Sequence, residues 1–205
     1  MAKYQAILFD LDGTLINPKE GITKSIQFAL EKLGAPIPSP NELEWCIGPP
    51  LRESFSTLIK NASADQIDQA LDYYRSRYRD IGMYEHFVYP GIKEMLSQLH
   101  LEGYPLFIAT AKPQVFAAEI AKNLGFDGYF TKIHGAELDG TRTDKGELIQ
   151  YIVESHSIQE PAVMVGDRKY DIEGALSNGL HALGVTYGYG SHEELKEAGS
   201  HHLCH

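Results

Sequence analysis

Cysteine is nearly missing from this chain: there are two in 205 residues, Cys46 and Cys204. They form neither a C-x-x-C pair nor a zinc pattern with nearby histidines, so no disulfide framework or structural zinc is implied. Cations are short as well, with 18 Lys and Arg against 28 Asp and Glu and a formal net charge of -10. A chain this acidic has no basic field to collect a polyanionic backbone, which excludes nucleic acid as a general partner. Long apolar runs are also missing, and nothing approaches the roughly 20 residues of a membrane span. The run Ala6-Ile7-Leu8-Phe9 is too short for a secretory signal and is followed at once by acid. The expectation is a cytoplasmic protein in a reducing compartment with no membrane partner. What remains is ordinary globular composition, 43% hydrophobic and 22% charged, long enough to bury a sizeable core.

Three short apolar runs are continuous rather than alternating: Ala6 to Phe9, Leu106 to Ala109 and Ala162 to Val165. Strands buried on both faces of a parallel sheet have this character. Leu183 to Val185 is a weaker run, and Tyr129 to Ile133 is a further candidate strand. Between them lie segments of helical spacing, with Ile92, Met95, Leu96 and Leu99 on one face and Leu148, Ile149, Ile152 and Val153 on another. Gly103 and Gly125 stand where such helices should stop. From about residue 90 onward helix and strand alternate, which predicts an α/β fold with a doubly wound, mostly parallel, Rossmann-like sheet. Residues 17–85 contain no strand-like run. Ile22, Ile26, Ala29, Leu30 and Leu33 mark one amphipathic helix, and Leu51 to Ile59 and Ala64 to Tyr78 mark two more. The expected organisation is a core of 1–16 and 86–205 with an all-helical domain, 17–85, inserted after the first strand.

The first strand ends in Asp10-Leu11-Asp12-Gly13-Thr14-Leu15. Ligands of doubly wound sheets bind beyond the carboxyl ends of the strands, and two carboxylates two residues apart converge there if Gly13 turns the chain. An isolated acidic turn would read the same way, so the other strand ends matter. The second strong run leads into Thr110-Ala111-Lys112-Pro113, where a hydroxyl and a free N–H at a helix start suit a phosphate oxygen and Pro113 fits the first helical turn; taken alone, this reads as a helix cap. The third leads into Gly166-Asp167-Arg168-Lys169-Tyr170-Asp171, bringing further acid to the same edge. Lys145 lies near the start of a helix, where the dipole disfavours a cation; a nearby anion would explain it, and a solvated lysine is the alternative.

D-x-D-G-T-L, then Thr, then Lys, then G-D-x-x-x-D, in this order, resembles the haloacid dehalogenase superfamily of phosphatases, and most closely its phosphoglycolate phosphatase-like branch. That branch includes 5'-nucleotidases and β-phosphoglucomutases and carries a helical cap between its first and second motifs. The resemblance implies that Asp10 is a nucleophile forming an aspartyl-phosphate, and that Asp12 protonates the leaving oxygen and then activates water, a role that requires a raised pKa. It implies Mg²⁺ bound by Asp10, the backbone carbonyl of Asp12 and Asp167, with Asp171 anchoring the shell directly or through water. Thr110, the N–H of Ala111 and Lys145 would hold the phosphoryl oxygens, with Lys112 beside them at the substrate. Asp12 selects phosphate ester over haloacid, because halide needs no proton to leave and an alkoxide does. Phosphonate cleavage would need a cap lysine, and neither Lys24 nor Lys32 has a matching context.

The segment Ile47-Gly48-Pro49-Pro50-Leu51-Arg52 resembles the substrate loop of related caps, and Arg52 is a candidate for an anionic or hydroxyl group of substrate; a solvated first-turn arginine is the alternative. The segment Met83-Tyr84-Glu85-His86, which precedes Tyr89-Pro90-Gly91, is expected to be the second hinge. The tail His201-His202-Leu203-Cys204-His205 is expected to be disordered. The expected function is hydrolysis of a small phosphate ester, a nucleoside monophosphate or a phosphoglycolate-like acid, by a monomer or homodimer. The alternatives are a phosphomutase and a catalytically inactive binding or regulatory protein on the same scaffold.

Overall fold

A computed structural model describes residues 4–205. The chain divides into two compact units, 1–17 with 88–205, and 18–87. In the first unit, strands β1 (Ala6–Phe9), β4 (Leu106–Pro113), β5 (Lys132–Ala136), β6 (Ala162–Gly166), β7 (His181–Val185) and β8 (His202–Cys204) form one sheet among the described residues. Its order is β5-β4-β1-β6-β7-β8, and all pairings are parallel. The continuous apolar runs account for the centre, since every residue of β1 is buried. From β1 the chain order runs outward to β4 and β5 on one side and to β6, β7 and β8 on the other. The carboxyl end of β1 is therefore the topological switch point of the sheet, where open α/β folds hold their ligands.

Helices α4 (Ile92–Leu101), α5 (Gln114–Asn123), α6 (Lys145–His156), α7 (Lys169–Ser177) and α8 (His192–Glu197) supply the crossovers. Leu148, Ile149 and Ile152 of α6 and Ile172 and Ala175 of α7 are fully buried against Leu8, Ala109 and Met164. Each large aliphatic side chain so placed contributes about 1.5–3 kcal/mol of transfer free energy. Asp144 caps α6 by accepting from the Glu147 N–H at 3.0 Å. Gly103 and Gly125 take φ of +77° and +67° just beyond α4 and α5, and the N–H groups of Tyr104 and Phe126 close back on Leu99 and Ala121, the left-handed termination expected of glycine.

In the second unit, α1 (Lys19–Lys32) packs on α3 (Ala64–Asp80), with α2 (Leu51–Leu58) between them in sequence. Ile22, Ile26, Ala29 and Leu30 form the buried face of α1. Ser63 and Gln66 make a reciprocal capping box at the start of α3. Arg77 grips both oxygens of Glu85 and also donates to Ser25. A short two-stranded sheet pairs β2 (Ile16–Asn17) with β3 (Phe87–Val88).

Three local expectations are corrected. Pro113 does not open the first turn of α5; it is the last residue of β4 and caps the helix from outside with ψ 131°. A residue before proline is kept out of the helical region, so Lys112 is extended and the strand runs through it. The strand expected at Tyr129 to Ile133 begins at Lys132, because Asp127–Tyr129 winds into a short 3-10 turn. The tail is ordered. His202, Leu203 and Cys204 pair with Leu183, Gly184 and Val185, and the bonds His201 N–H to Ala182 O and Thr186 N–H to Cys204 O flank the pairing at 2.9 Å each. The reason lies in Leu203, which packs on the main core and crosses Gly184 so closely that a Cβ there would stand 2.8 Å from it. Shortening this side chain with Leu203→Ala should cost about 1–2 kcal/mol, below the range for fully buried leucines because Leu203 is only partly buried. A urea titration checks it: an unchanged midpoint would mean that β8 adds nothing to the fold.

Candidate active site

Asp10 follows β1 directly, and its N–H is held by Val165 O at 2.9 Å. The chain then turns back on itself, with Leu11 O accepting from the N–H groups of Leu15 and Ile16. Gly13 makes the turn possible at φ +89°; a Cβ there would stand 2.2 Å from an oxygen of Asp167. Asp167 follows β6, and Asp171 lies in the first turn of α7. Among the described residues, Asp10, Asp167 and Asp171 form one buried carboxylate group whose oxygens approach within 4.8 Å of each other.

Lys145 reaches into this group from the first residue of α6. Its ammonium lies 2.7 Å from Asp10 Oδ1, 2.8 Å from Asp171 Oδ1 and 2.8 Å from Ala109 O. Here is the anion that the position against the helix dipole called for, and it consists of two carboxylates of the chain itself. The close approach of the start of α6 to the body of α7 is permitted by Gly174, where a Cβ would stand 3.1 Å from the Lys145 side chain and from the Gly146 nitrogen. Burial opposes the charge on Lys145, but Asp10 and Asp171 outweigh it and raise its pKa.

One ammonium does not neutralise three carboxylates. Burial, followed by repulsion from Asp171 and Asp10, holds Asp167 well above the usual carboxylate range. Burial also lifts Asp171 to about 6 although Lys145 pulls the other way. Three converging carboxylates with uncompensated charge are the donor set of a hard divalent cation, which prefers all-oxygen ligands; zinc or copper would call for imidazole or thiolate. The residues present therefore fit a cation of the Mg²⁺ class.

The remaining sequence candidates divide. The carboxylate of Asp12 lies outside the three-acid group, with Oδ2 on the Lys112 ammonium at 2.8 Å. Lys112 is thus the partner of Asp12 in this structure. Thr110 is buried at the end of β4, where its hydroxyl accepts from the Lys112 N–H at 3.3 Å. Ala111, between them, is half-buried. Arg52 lies in the first turn of α2 in the helical unit, exposed and ion-paired with Asp68 of α3.

The chain matches the haloacid dehalogenase-like hydrolases over residues 7–185. It belongs to that family. A 5'-nucleotidase of Pseudomonas aeruginosa is 47% identical over 203 residues, covering 98% of this chain and 91% of that one. A tyrosine-protein kinase, PtkA of Mycobacterium tuberculosis, is 34% identical over 187 residues, covering 91% of this chain and 63% of its own length. Among solved structures, a predicted phosphatase from Clostridium acetobutylicum superposes with a TM-score of 0.93 at 43% identity, over 98% of this chain and 94% of that one.

Sequence reasoning overlooked the loop after β7, Tyr187-Gly188-Tyr189-Gly190. The Tyr189 N–H donates to Asp167 Oδ2 at 2.7 Å. A Cβ on Gly188 would stand 2.4 Å from the Asp167 side chain, and one on Gly190 would stand 2.0 Å from its carbonyl oxygen. Thr14 donates to the other oxygen, Oδ1, at 3.4 Å. The signal was present: glycine alternating with a bulky residue at the carboxyl end of a strand marks a close backbone approach.

Proposed function

We propose that this member of the haloacid dehalogenase-like hydrolases is a Mg²⁺-dependent phosphomonoesterase acting on a small phosphorylated metabolite, a nucleoside monophosphate in the first instance. One observation carries the reading: a buried Asp10 carboxylate at the sheet's switch point, held by Lys145 and facing two further acids that call for a cation. The 47% identical 5'-nucleotidase supports the nucleoside monophosphate; phosphoglycolate is the second candidate, on the likeness of the motifs to that branch.

In this mechanism an oxygen of Asp10 attacks phosphorus as the bond to the leaving oxygen breaks, and Asp12 delivers a proton to that oxygen. Asp12 then takes a proton from water, which attacks the phosphorus of the aspartyl-phosphate and releases phosphate with Asp10 restored. Asp10, the Asp12 carbonyl and Asp167, with Asp171 behind them, would hold Mg²⁺, which when bound would supply charge neutralisation at the phosphoryl oxygens. Lys145 and Thr110 with the Ala111 N–H hold those oxygens as charge spreads over them. The Asp12–Lys112 pair adds a step: an arriving phosphate competes for the Lys112 ammonium, and the released Asp12 carboxylate takes up from solvent the proton that it delivers to the leaving oxygen. The helical unit acts as the cap that reads the leaving group, and Arg52 is its candidate contact.

The test is a panel of phosphate esters, with nucleoside monophosphates, phosphoglycolate and hexose phosphates side by side, assayed with Mg²⁺ and with EDTA. Many turnovers of inorganic phosphate release with Mg²⁺, lost in EDTA, are expected. Absence of phosphate release across the panel would sink the reading, and conversion of hexose phosphates without phosphate release would point to a mutase.

The metal has a second consequence, in stability. Asp171 has a raised folded pKa, so its favourable contribution is present below the unfolded value near 3.8 and is lost as pH rises through about 6. Metal-free protein should lose stability over that window, and Mg²⁺ should restore it above pH 6, where protons no longer compete. At about 100 times Kd, Mg²⁺ would contribute about 2.7 kcal/mol, or roughly 5–10 °C in Tm for a chain of this size. Thermal melts at pH 7.5 and pH 5 should show the larger Mg²⁺ shift at pH 7.5; equal shifts would mean that the carboxylates do not hold the ion.

A further inference from the structure

The carboxylate of Asp167 sits in a closed circuit of hydrogen bonds. Thr14 Oγ1 donates to Oδ1 at 3.4 Å, and the Tyr189 N–H donates to Oδ2 at 2.7 Å. Two residues before Tyr189, the Tyr187 hydroxyl donates to Thr14 O at 3.0 Å and so returns the loop to the residue that holds the first oxygen. Gly13 and Gly188 press on the same carboxylate, each with room for hydrogen only. With one donor on each oxygen, a lone pair on each is left to point into the acid cluster. The Tyr187 ring packs on Tyr89 at 4.8 Å between centroids, and the Tyr189 hydroxyl donates to Asn17 Oδ1 at 2.8 Å. The loop is thereby tied down at both ends. Burial, then the charge of Asp167, lifts the Tyr187 phenol to about 12, so its hydroxyl remains a donor across the working range.

We propose that Tyr187 is a positioning residue for metal binding: through Thr14 it holds the Asp167 carboxylate in the orientation that a divalent cation requires, although it touches neither the ion nor the substrate. The inference rests on Asp167 being a ligand, as proposed above. Outer partners of metal ligands are worth roughly 10–100-fold in affinity, and the contact at issue is a single hydroxyl bond, so the lower end applies.

The experiment measures Mg²⁺ binding by calorimetry and by thermal shift, on the whole chain, for wild type, Tyr187→Phe, Thr14→Val and the double variant. Phenylalanine keeps the ring packing on Tyr89 and removes only the hydroxyl. Tyr187→Phe should weaken Mg²⁺ about 10-fold while the metal-free Tm moves little. Because Tyr187 acts through Thr14, the double variant should bind no more weakly than Thr14→Val alone, the non-additivity expected of a shared path. Unchanged Mg²⁺ affinity in Tyr187→Phe overturns the proposal. So does a loss of affinity that is fully additive with Thr14→Val, or one matched by a fall in metal-free stability. If wild type itself binds no Mg²⁺, the metal reading falls first and this inference with it, a result distinct from all of these.

Discussion

Asp10→Asn is expected to leave the protein folded and to reduce kcat by at least about 10³-fold, which corresponds to about 4 kcal/mol of transition-state stabilisation. Asparagine has nearly the shape of aspartate, and its Oδ1 can still accept from Lys145 as Asp10 does at 2.7 Å. An amide oxygen does not form the acyl phosphate that the proposed mechanism needs, so the covalent route closes while binding geometry survives. The charge change also has a sign that can be checked. Asp10 repels both Asp167 and Asp171, so the neutral variant relieves that repulsion while giving up its charged contact with Lys145. These terms oppose each other, and metal-free Tm should change by only a few degrees, whereas Mg²⁺ affinity should fall because one anionic ligand is gone. Steady-state assays with Mg²⁺ at saturation separate the two effects. Near-normal kcat in this variant would remove Asp10 from the role of nucleophile and with it the proposed chemistry.

Lys145→Met is expected to damage stability as well as activity. Lys145 is 7% exposed, and its ammonium is paired with Asp10 and Asp171. Methionine keeps the volume of the side chain and leaves Asp10 and Asp171 without that counter-charge. Breaking a buried pair from one side typically costs 3–5 kcal/mol, about that of other uncompensated buried charges, and roughly 10 °C in Tm for a chain of this length. Mg²⁺ should raise the Tm of Lys145→Met by more than it raises that of wild type, because the ion takes over neutralisation the lysine once shared. Activity should stay low even with Mg²⁺ present, since the phosphoryl oxygens would lack the ammonium that the mechanism assigns to them. Guanidinium titrations with and without Mg²⁺ provide the measurement. Equal stability of wild type and Lys145→Met in EDTA would show that the acids are held protonated, and the electrostatic account of the site would be wrong.

The two parts of the site differed in how visible they were beforehand. Asp10, Asp167 and Asp171 were legible because each follows a continuous apolar run, and such runs become strands whose ends meet at one edge. Lys145 was legible through a local conflict, a cation at the start of a helix. The Tyr187–Gly190 loop was passed over because its glycines and tyrosines look like an ordinary surface turn until Asp167 is brought against them. The tail was misread for a related reason. His202-Leu203-Cys204 is too short to signal a strand alone, and its apolar centre matters only once Gly184 lies beneath it.

Hydrophobic periodicity, glycine stops and acids at strand ends are short-range properties, and from them the chain by itself determined an α/β sheet, its helical insertion and the residue types gathered at the switch point. Only the tertiary structure decided which charge answers which: Lys145 on Asp10 and Asp171, Lys112 on Asp12, and Asp167 enclosed by Thr14 and Tyr189. Those pairings join residues 22 to 153 positions apart, and Coulomb and hydrogen-bond energies depend on distance through space, a quantity that exists only after the strands have taken their register.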